Sequence, residues 1–573
     1  MAVSDYTLTH PKLGSIIGFA RDDDVVQFRG IPFASIPGRF RQSILRTEQL
    51  PTQPFDARQP GPECPQLSLP YPPYWTASPP SGYPTLDKPI QDEFKCLNLS
   101  ITAPRKVLES GQHVPVLVFI HGGAFMGGSQ SIQLSGREVY DATNLVRASI
   151  ARGQPVVVVT LNYRVGLLGF LTSDGLAERS RAYGEAVGNY GLHDQRQALE
   201  WVSQFISGFG GASGRVTIHG TSAGGASCHY QVNFPNRKFQ SAILSSGTSV
   251  GIASRPMAWH QDRFDYVISK VSSLKADDSS LLNCLENLPL DQLLPASPPS
   301  LYSPLVDGEW VPEAGLKPTL EKLSSAGGTM PNLMIGATEY ERDLTLLLLS
   351  ALLPDLLTSL PHPPRPEAEI LPAAQDVLAG SAMIPELDSS DSPFCVPTIA
   401  QAYDLSRERT STDSFQDLAG LMADTAFRVP PVYSAAVIKK HQQATGETNP
   451  APVLLYEIQA TNPYENWPLS YNRANHGIND VILFNPAEDQ VPENHLENWR
   501  TAVSQIQGAW LDFCHGKMPW TPFEETEDVK SLGGIYVFPN GGEGRLCQTL
   551  DEVDGEKTAT RWRALLNTAL GGS

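Results

Sequence analysis

Two stretches of the chain are apolar and β-branched almost without interruption, VPVLVFI at 114–120 and PVVVVTLNY at 155–163. A strand with one wet face alternates polar and apolar residues, so continuous runs of this kind belong in the middle of a sheet covered on both faces, which predicts a parallel sheet. Downstream, DQRQALEWVSQFI at 194–206 changes to helical spacing, with Ala198, Leu199, Val202, Phe205 and Ile206 on one stripe, and the short strand RVTIHG follows at 215–220. Strand, helix, strand alternation predicts an α/β protein with a doubly wound, mostly parallel sheet. NLMIGATE at 332–339 and PVLLYEI at 452–458 are expected as later strands, separated by helical and Pro-rich stretches and by no internal repeat. The contrary pattern is the segment from Pro51 to Pro89, which includes LPYPPYWTASPPSGYP and is excluded from regular helix or sheet by its prolines.

Composition narrows the function more than the fold. A length of 573 residues suggests by itself two or three domains, and 41% hydrophobic with 18% charged residues is globular composition. The formal charge of -19 repels phosphate backbones and anionic surfaces, which argues against a nucleic-acid partner. The greasiest run, Leu344 to Leu353, is broken by Pro354 and Asp355 well short of the roughly 20 residues of a membrane helix, so no membrane span is expected. The first residues, MAVSDYTLTHPKLGSIIG, lack the basic start and apolar stretch of a secretory signal, and a cytoplasmic location is the expectation. Seven cysteines form no C-x-x-C pair, their odd number leaves at least one thiol unpaired, and there is no H-E-x-x-H. Neither a metal nor a cofactor is expected, and the oligomeric state is left open.

Candidate chemistry lies at two strand ends. Gly220-Thr221-Ser222-Ala223-Gly224 is a G-x-S-x-G sequence directly after a strand and ahead of Gly225-Ala226-Ser227, a stretch able to open a helix. That is the context of a nucleophile elbow, a strained turn whose flanking glycines let neighbouring backbone approach while the serine hydroxyl is pushed outward. The second is His121-Gly122-Gly123-Ala124-Phe125, a glycine loop of the type that offers backbone amides to an oxyanion. The N–H groups of Gly122, Gly123 and Ala223 are the expected oxyanion hole, each worth about 3 kcal/mol of transition-state stabilisation.

Around these motifs the residues resemble a known family. FGGASGRVTIHGTSAG at 209–224 is similar to the active-serine signature of the type-B carboxylesterase/lipase family, which includes cholinesterases and fungal lipases. The likeness continues in NYRVGLLGF at 162–170, NYGLHDQRQALEWV at 189–202, AILSSGT at 242–248 and PLVDG at 304–308, with weaker echoes in FRGIPFASIPGRF at 28–40 and AWLDFCHGKMPW at 509–520. It implies the α/β-hydrolase fold, and because it spans nearly the whole chain it implies one catalytic domain over 1–573 in place of two or three.

The resemblance also implies triad partners that spacing leaves open among 61 acidic residues and 12 histidines. The family's acid stands five residues after a glycine that follows a strand, which points to Glu341, with Glu339 as the fallback; Glu339 and Asp343 are otherwise helix-start charges. The base is expected at His476, in Asn475-His476-Gly477 ahead of the apolar Val481 to Phe484. Two departures stand beside it: Asn479 where an acid is common in the family, and Asp480 where an apolar residue is common. Ser246 resembles a serine that supports the acid and base. The Pro-rich segment lies between Cys64 and Cys96 and resembles the family's disulfide-closed loop or lid, here at about 51–96, with the bridge left open in a reducing compartment. The leucine run after Glu341 is expected near the acyl pocket or in the core. The implied activity is hydrolysis of small-to-medium organic esters through an acyl-enzyme on Ser222, with no cofactor. Two alternatives remain at this stage: a biosynthetic acyltransferase or cyclase using the same triad, and a non-catalytic, cholinesterase-like binding protein.

Overall fold

A computed structural model describes residues 4–67, 89–346 and 395–570, apart from short stretches at 135, 233, 235, 272–279, 299–301, 314, 326–327, 406–410, 466–469 and 525–533. Among the described residues one 13-stranded sheet organises the chain. Its strands are β1 (Ser4–His10), β2 (Gly14–Ala20), β3 (Val25–Pro32), β4 (Phe55–Asp56), β5 (Asn98–Pro104), β6 (Val114–Ile120), β7 (Val157–Leu161), β8 (Gly211–Thr221), β9 (Ser241–Ser245), β10 (Asn332–Thr338), β11 (Val453–Ile458), β12 (Ile535–Phe538) and β13 (Arg545–Cys547). They lie side by side in the order β1-β2-β3-β5-β7-β6-β8-β9-β10-β11-β12-β13, with β4 against β2. The run from β7 to β12 is parallel throughout, and the antiparallel pairings are confined to the outer strands up to β5–β7 and to β12–β13.

Strand β6 shows why the sequence builds this sheet. Its side chains alternate between faces, yet all seven residues are buried, because each face is covered by its own apolar layer. Val116, Val118 and Ile120 join Leu199, Trp201, Val202 and Phe205 of helix α2 (Tyr190–Phe205), while Leu117 and Phe119 join Val503, Ile506 and Trp510 of α6 (Glu493–Cys514). Helix α1 (Thr143–Ala151) and α5 (Ile478–Phe484) share the second layer, and α4 (Val429–Thr445) the first. The expected α/β-hydrolase architecture, a mostly parallel sheet with helices on both faces, is the observed one; its outer strands make the sheet mixed.

The expected strands appear with small changes of length. RVTIHG belongs to a strand that starts four residues earlier, and the helix expected over 194–206 begins at Tyr190 and gives way to a 3-10 turn at Ile206. The four extra residues follow Asn189, which caps the helix at φ 47°, and Gly191 passes so close to the Arg164 carbonyl oxygen that an added Cβ would lie 2.4 Å from it.

Between these two segments lies a buried ion pair. Arg164 donates from Nε and from Nη2 to Asp194 at 2.7 and 2.8 Å, its amide donates to the same carboxylate at 3.1 Å, and Nη1 reaches the Arg41 carbonyl. Neither side chain is more than 3% exposed. Removing the charge of one partner leaves the other buried and uncompensated, which costs about 3–5 kcal/mol. Asp194→Asn is therefore expected to lower the unfolding free energy by that amount in urea titration; a loss below about 1 kcal/mol, the scale of an exposed pair, would show that water relieves Arg164.

Candidate active site

Ser222 sits at the break between β8 and helix α3 (Ala223–Val232), with φ 62°. A non-glycine residue in the left-handed region is strained, and the surrounding backbone holds it there. The Ser222 amide donates to Ser245 O on β9 at 2.9 Å, and its carbonyl accepts from Ala226 at 2.9 Å. The glycines around it make the turn possible: a Cβ on Gly224 would lie 2.1 Å from the Ile120 carbonyl oxygen at the end of β6. The side chain is thus pushed up at the carboxyl edge of the central strands, where the His-Gly-Gly loop meets it. A Cβ on Gly122 would stand 3.1 Å from that of Ser222.

The loop itself is braced from below. His121 stacks on Tyr163 with 4.3 Å between ring centroids, donates through Nδ1 to the Gly122 carbonyl at 2.8 Å, and accepts the Tyr163 hydroxyl on its own carbonyl at 2.9 Å. Burial pushes its imidazole down to about 4, so it is neutral at physiological pH and acts as a brace. The Gly122 and Gly123 amides donate to no backbone carbonyl among the described turn and loop contacts, and Ala223 opens α3, where amides have no acceptor inside the helix. Among the described residues these three donors, which flank Ser222, have no acceptor. Gly123 has φ 117°, and a Cβ there would collide with the Gly127 carbonyl oxygen at 2.0 Å. Gly123→Ala is expected to shift these amides and lower kcat about 100- to 1000-fold with KM little changed, the scale of losing one oxyanion donor; a KM effect alone would place the loop in substrate binding.

Glu341 and His476, 135 residues apart, are joined by a short hydrogen bond from Nδ1 to Oε2. Both are buried, Glu341 1% and His476 4% exposed. The other carboxylate oxygen, Oε1, accepts from the Thr338 amide at 3.1 Å and the Thr338 hydroxyl at 2.7 Å, and the Ser246 hydroxyl bonds the same group. Burial alone would raise the Glu341 carboxyl, but the charge and hydrogen bond of His476, with those of Ser246 and Thr338, bring it below its ordinary value. Burial would likewise lower His476, and Glu341, followed by Asp343 and Asp480, raises it instead. Backbone pairing sets the distance, since the Tyr340 amide donates to Ala474 O at 2.9 Å and Tyr340 bridges Asn475.

The histidine loop is tied to the serine turn through the next residues. Thr221, the neighbour of Ser222, donates its hydroxyl to Asp480 at 2.6 Å and accepts from Asn479 at 2.6 Å. Ser246 and Gly247 pack beneath the same turn: the Ser246 amide donates to Gly336 O at 2.7 Å, and a Cβ on Gly247 would stand 2.0 Å from Ser222 O. All the expected residues, Ser222, Glu341, His476, Gly122, Gly123, Ala223 and Ser246, thus converge on one edge of the sheet.

Glu339, the fallback acid, lies elsewhere. It is pushed up to about 7, first by burial and then by Glu457 and Asp554, beside the ion pairs of Arg428. Asp343 accepts from Ser470 at 2.8 Å, and burial raises it to about 6. One neighbour went unrecognised in the sequence: Phe427, in the π-helical turn Asp424–Arg428, places its ring 4.7 Å from that of His476. No local pattern marks it, because the contact is made only by the tertiary fold. Cys64 and Cys96 are free and buried, with the Cys96 thiol pushed well up by its hydrogen bond to Cys64 and by burial. The Pro-rich loop is described at 51–67 and again from 89, and Gln66 clasps the amide and carbonyl of Gly128 at 2.6 and 3.1 Å; its residues 68–88 lie outside the described residues. Of the leucine run, Leu344 is buried and Leu346 packs on the core, and 347 onward lies outside them as well. Among the described residues no group of His, Cys, Asp and Glu is arranged to hold a metal, and no helix is long and apolar enough to cross a membrane.

The family model described as "Carboxylesterase family" matches residues 6–527. The chain belongs to the carboxylesterase family. It is 28% identical over 563 residues to the para-nitrobenzyl esterase of Bacillus subtilis (strain 168), covering 93% of this chain and 96% of that one. With lipase 3 of Yarrowia lipolytica (strain CLIB 122 / E 150) it shares 33% identity over 280 residues, 48% of this chain and 52% of the relative. Bile salt-activated lipase of Bos taurus matches at 32% over 311 residues, 51% and 46% of the two chains. The chain thus spans about half the length of these lipases and nearly all of the esterase. Among solved structures, a thermophilic PNB esterase superposes with a TM-score of 0.70 over 97% of this chain and 100% of the other at 23% identity, a likeness of fold.

Proposed function

We propose that this carboxylesterase-family protein is a serine ester hydrolase whose triad is Ser222, His476 and Glu341, all within a single catalytic domain. The observation that carries the proposal is the buried Glu341–His476 hydrogen bond, tied through Asp480 and Thr221 to a serine held at φ 62°. Glu341 fixes the proton on Nδ1, which leaves Nε2 as the free lone pair of the imidazole. His476 then takes the Ser222 proton as Oγ attacks the ester carbonyl, and the carbonyl oxygen gathers negative charge against the amides of Gly122, Gly123 and Ala223. The imidazolium returns its proton to the departing alcohol. Water activated by the same imidazole then cleaves the acyl-enzyme.

The substrates proposed are small-to-medium esters of organic acids. Aryl and benzyl esters come first, because the relative matched over nearly its full length carries the name para-nitrobenzyl esterase. The test is hydrolysis of a p-nitrophenyl ester series of increasing acyl length, with a p-nitrobenzyl ester alongside and a fluorophosphonate as covalent probe. Turnover together with a phosphonyl adduct on Ser222 is the expected result. A folded protein that neither turns over nor takes the adduct would overturn the proposal.

A further inference from the structure

The charges of three buried carboxyl groups act on His476, of which the proposed triad uses one. Glu341 bonds its Nδ1, Asp343 accepts from Ser470, and Asp480 lies one turn beyond the histidine at the start of α5. Asp480 is 1% exposed, in a position where the resemblance leads one to expect an apolar side chain. It is there with a purpose-built set of partners: its Oδ1 accepts the Thr221 hydroxyl at 2.6 Å and the Asn479 amide at 3.0 Å, and that same amide donates to Thr221 at 2.6 Å. The triangle joins the residue before the nucleophile to the two residues that follow the His-Gly-Ile loop.

We propose that Asp480 is a positioning residue of this site, one that pins Thr221 beneath Ser222 and whose negative charge stabilises the imidazolium form of His476, so that the two groups titrate as a pair. The inference rests on the serine-hydrolase reading for its catalytic consequence, though not for the coupling itself. Burial pushes the Asp480 carboxyl up to about 7, against the pull of Thr221 and His476, and Asp480 in turn contributes to raising His476. The ionisable groups about it are few. Besides His476, with Glu341 and Asp343 behind it, there are the Tyr140 and Tyr456 phenols, both buried and pushed up further by Asp480. His219 on β8 is held neutral by burial, at about 4. The two helices packed on α5 turn their charges elsewhere, with Arg147 of α1 on Asp22, and Arg500 and Asp512 of α6 on Glu488 and Gln154. Among the described residues the charge of His476 is therefore the one with which ionised Asp480 interacts favourably, and the low-dielectric surroundings strengthen that interaction.

The sign follows. An ionised Asp480 favours the protonated imidazole, so it raises the pH at which His476 becomes a competent base, and it stabilises the imidazolium formed as Ser222 attacks. Asp480→Asn keeps the shape and the acceptor for Thr221 and removes the charge. The experiment records the pH dependence of fluorophosphonate inactivation for wild type and D480N, and follows His476 directly by NMR of protein carrying 13C-labelled histidine, with the His476 signal assigned by its loss in His476→Gln. Both midpoints are expected to move to lower pH by about one unit in D480N, the scale of removing one nearby charge, with a several-fold slower plateau. In the wild type the His476 titration should be broader than a single-proton curve, which tests the pairing even if D480N does not fold. A plateau lowered at every pH with both midpoints unmoved, or a wild-type curve of one-proton width, would overturn the proposal and leave Asp480 as packing. If the wild type takes no fluorophosphonate while the His476 midpoint still moves on substitution, the hydrolase reading falls and the Asp480–His476 coupling stands.

Discussion

Ser222→Ala is expected to lower kcat for the best p-nitrophenyl ester by about a millionfold and to abolish the fluorophosphonate adduct. On the proposed mechanism the size of the effect comes from losing the nucleophile that forms the acyl-enzyme; the amides of Gly122, Gly123 and Ala223 stay where they are and would sustain a residual rate above that in water. The change is also clean. The bonds that fix the turn run through the Ser222 backbone, to Ser245 O and from Ala226, and the strain of φ 62° falls equally on serine and alanine, so the thermal midpoint should not move. A variant that keeps more than about 1% of the wild-type rate would show that the hydrolysis comes from another nucleophile, since deleting a triad serine costs several further orders of magnitude.

The serine turn was legible because everything that makes it is local: a strand, two glycines where backbone must approach, and a helix start, within a dozen residues. The same holds for β6 and β7, whose unbroken apolar runs follow from burial on both faces. The outer strands β1 to β3 were less legible. Ser4–His10 mixes exposed and half-buried positions, and its pairing with Gly14–Ala20 depends on a neighbour instead of on its own pattern. The proposed acid and base are a third case. Neither Glu341 nor His476 stands out among its like, because what distinguishes them is a bond across 135 residues, set by Tyr340 pairing with Ala474 and Asn475. Only the family resemblance points to them. Asp480 shows the reverse: the sequence marks it only as a departure from that resemblance, and its triangle with Thr221 and Asn479 is visible only in three dimensions.

Glu341→Gln should cost about four orders of magnitude in kcat, the scale of putting a triad histidine in the wrong tautomer. Glutamine has the shape of glutamate and can be set in this site in two ways, both unfavourable. With its NH2 toward His476, it donates to Nδ1, which forces the imidazole proton onto Nε2 and leaves no lone pair to take the Ser222 proton. Turned over, it offers its NH2 to the Thr338 amide, which donates to Oε1 in the native protein, and that N–H is left facing another donor even if the Thr338 hydroxyl turns to accept. In both settings the negative charge that stabilises the imidazolium is gone. Glu339→Gln is the matched comparison two residues away. It removes one carboxyl from the crowd with Glu457 and Asp554, where burial and like charge already hold it up at about 7, and kcat/KM should be unaltered. The two variants measured side by side decide between the acids that the sequence left as first choice and fallback: a large loss in E339Q with E341Q near wild type would reassign the acid and break the link from Thr338 and Ser246 to His476.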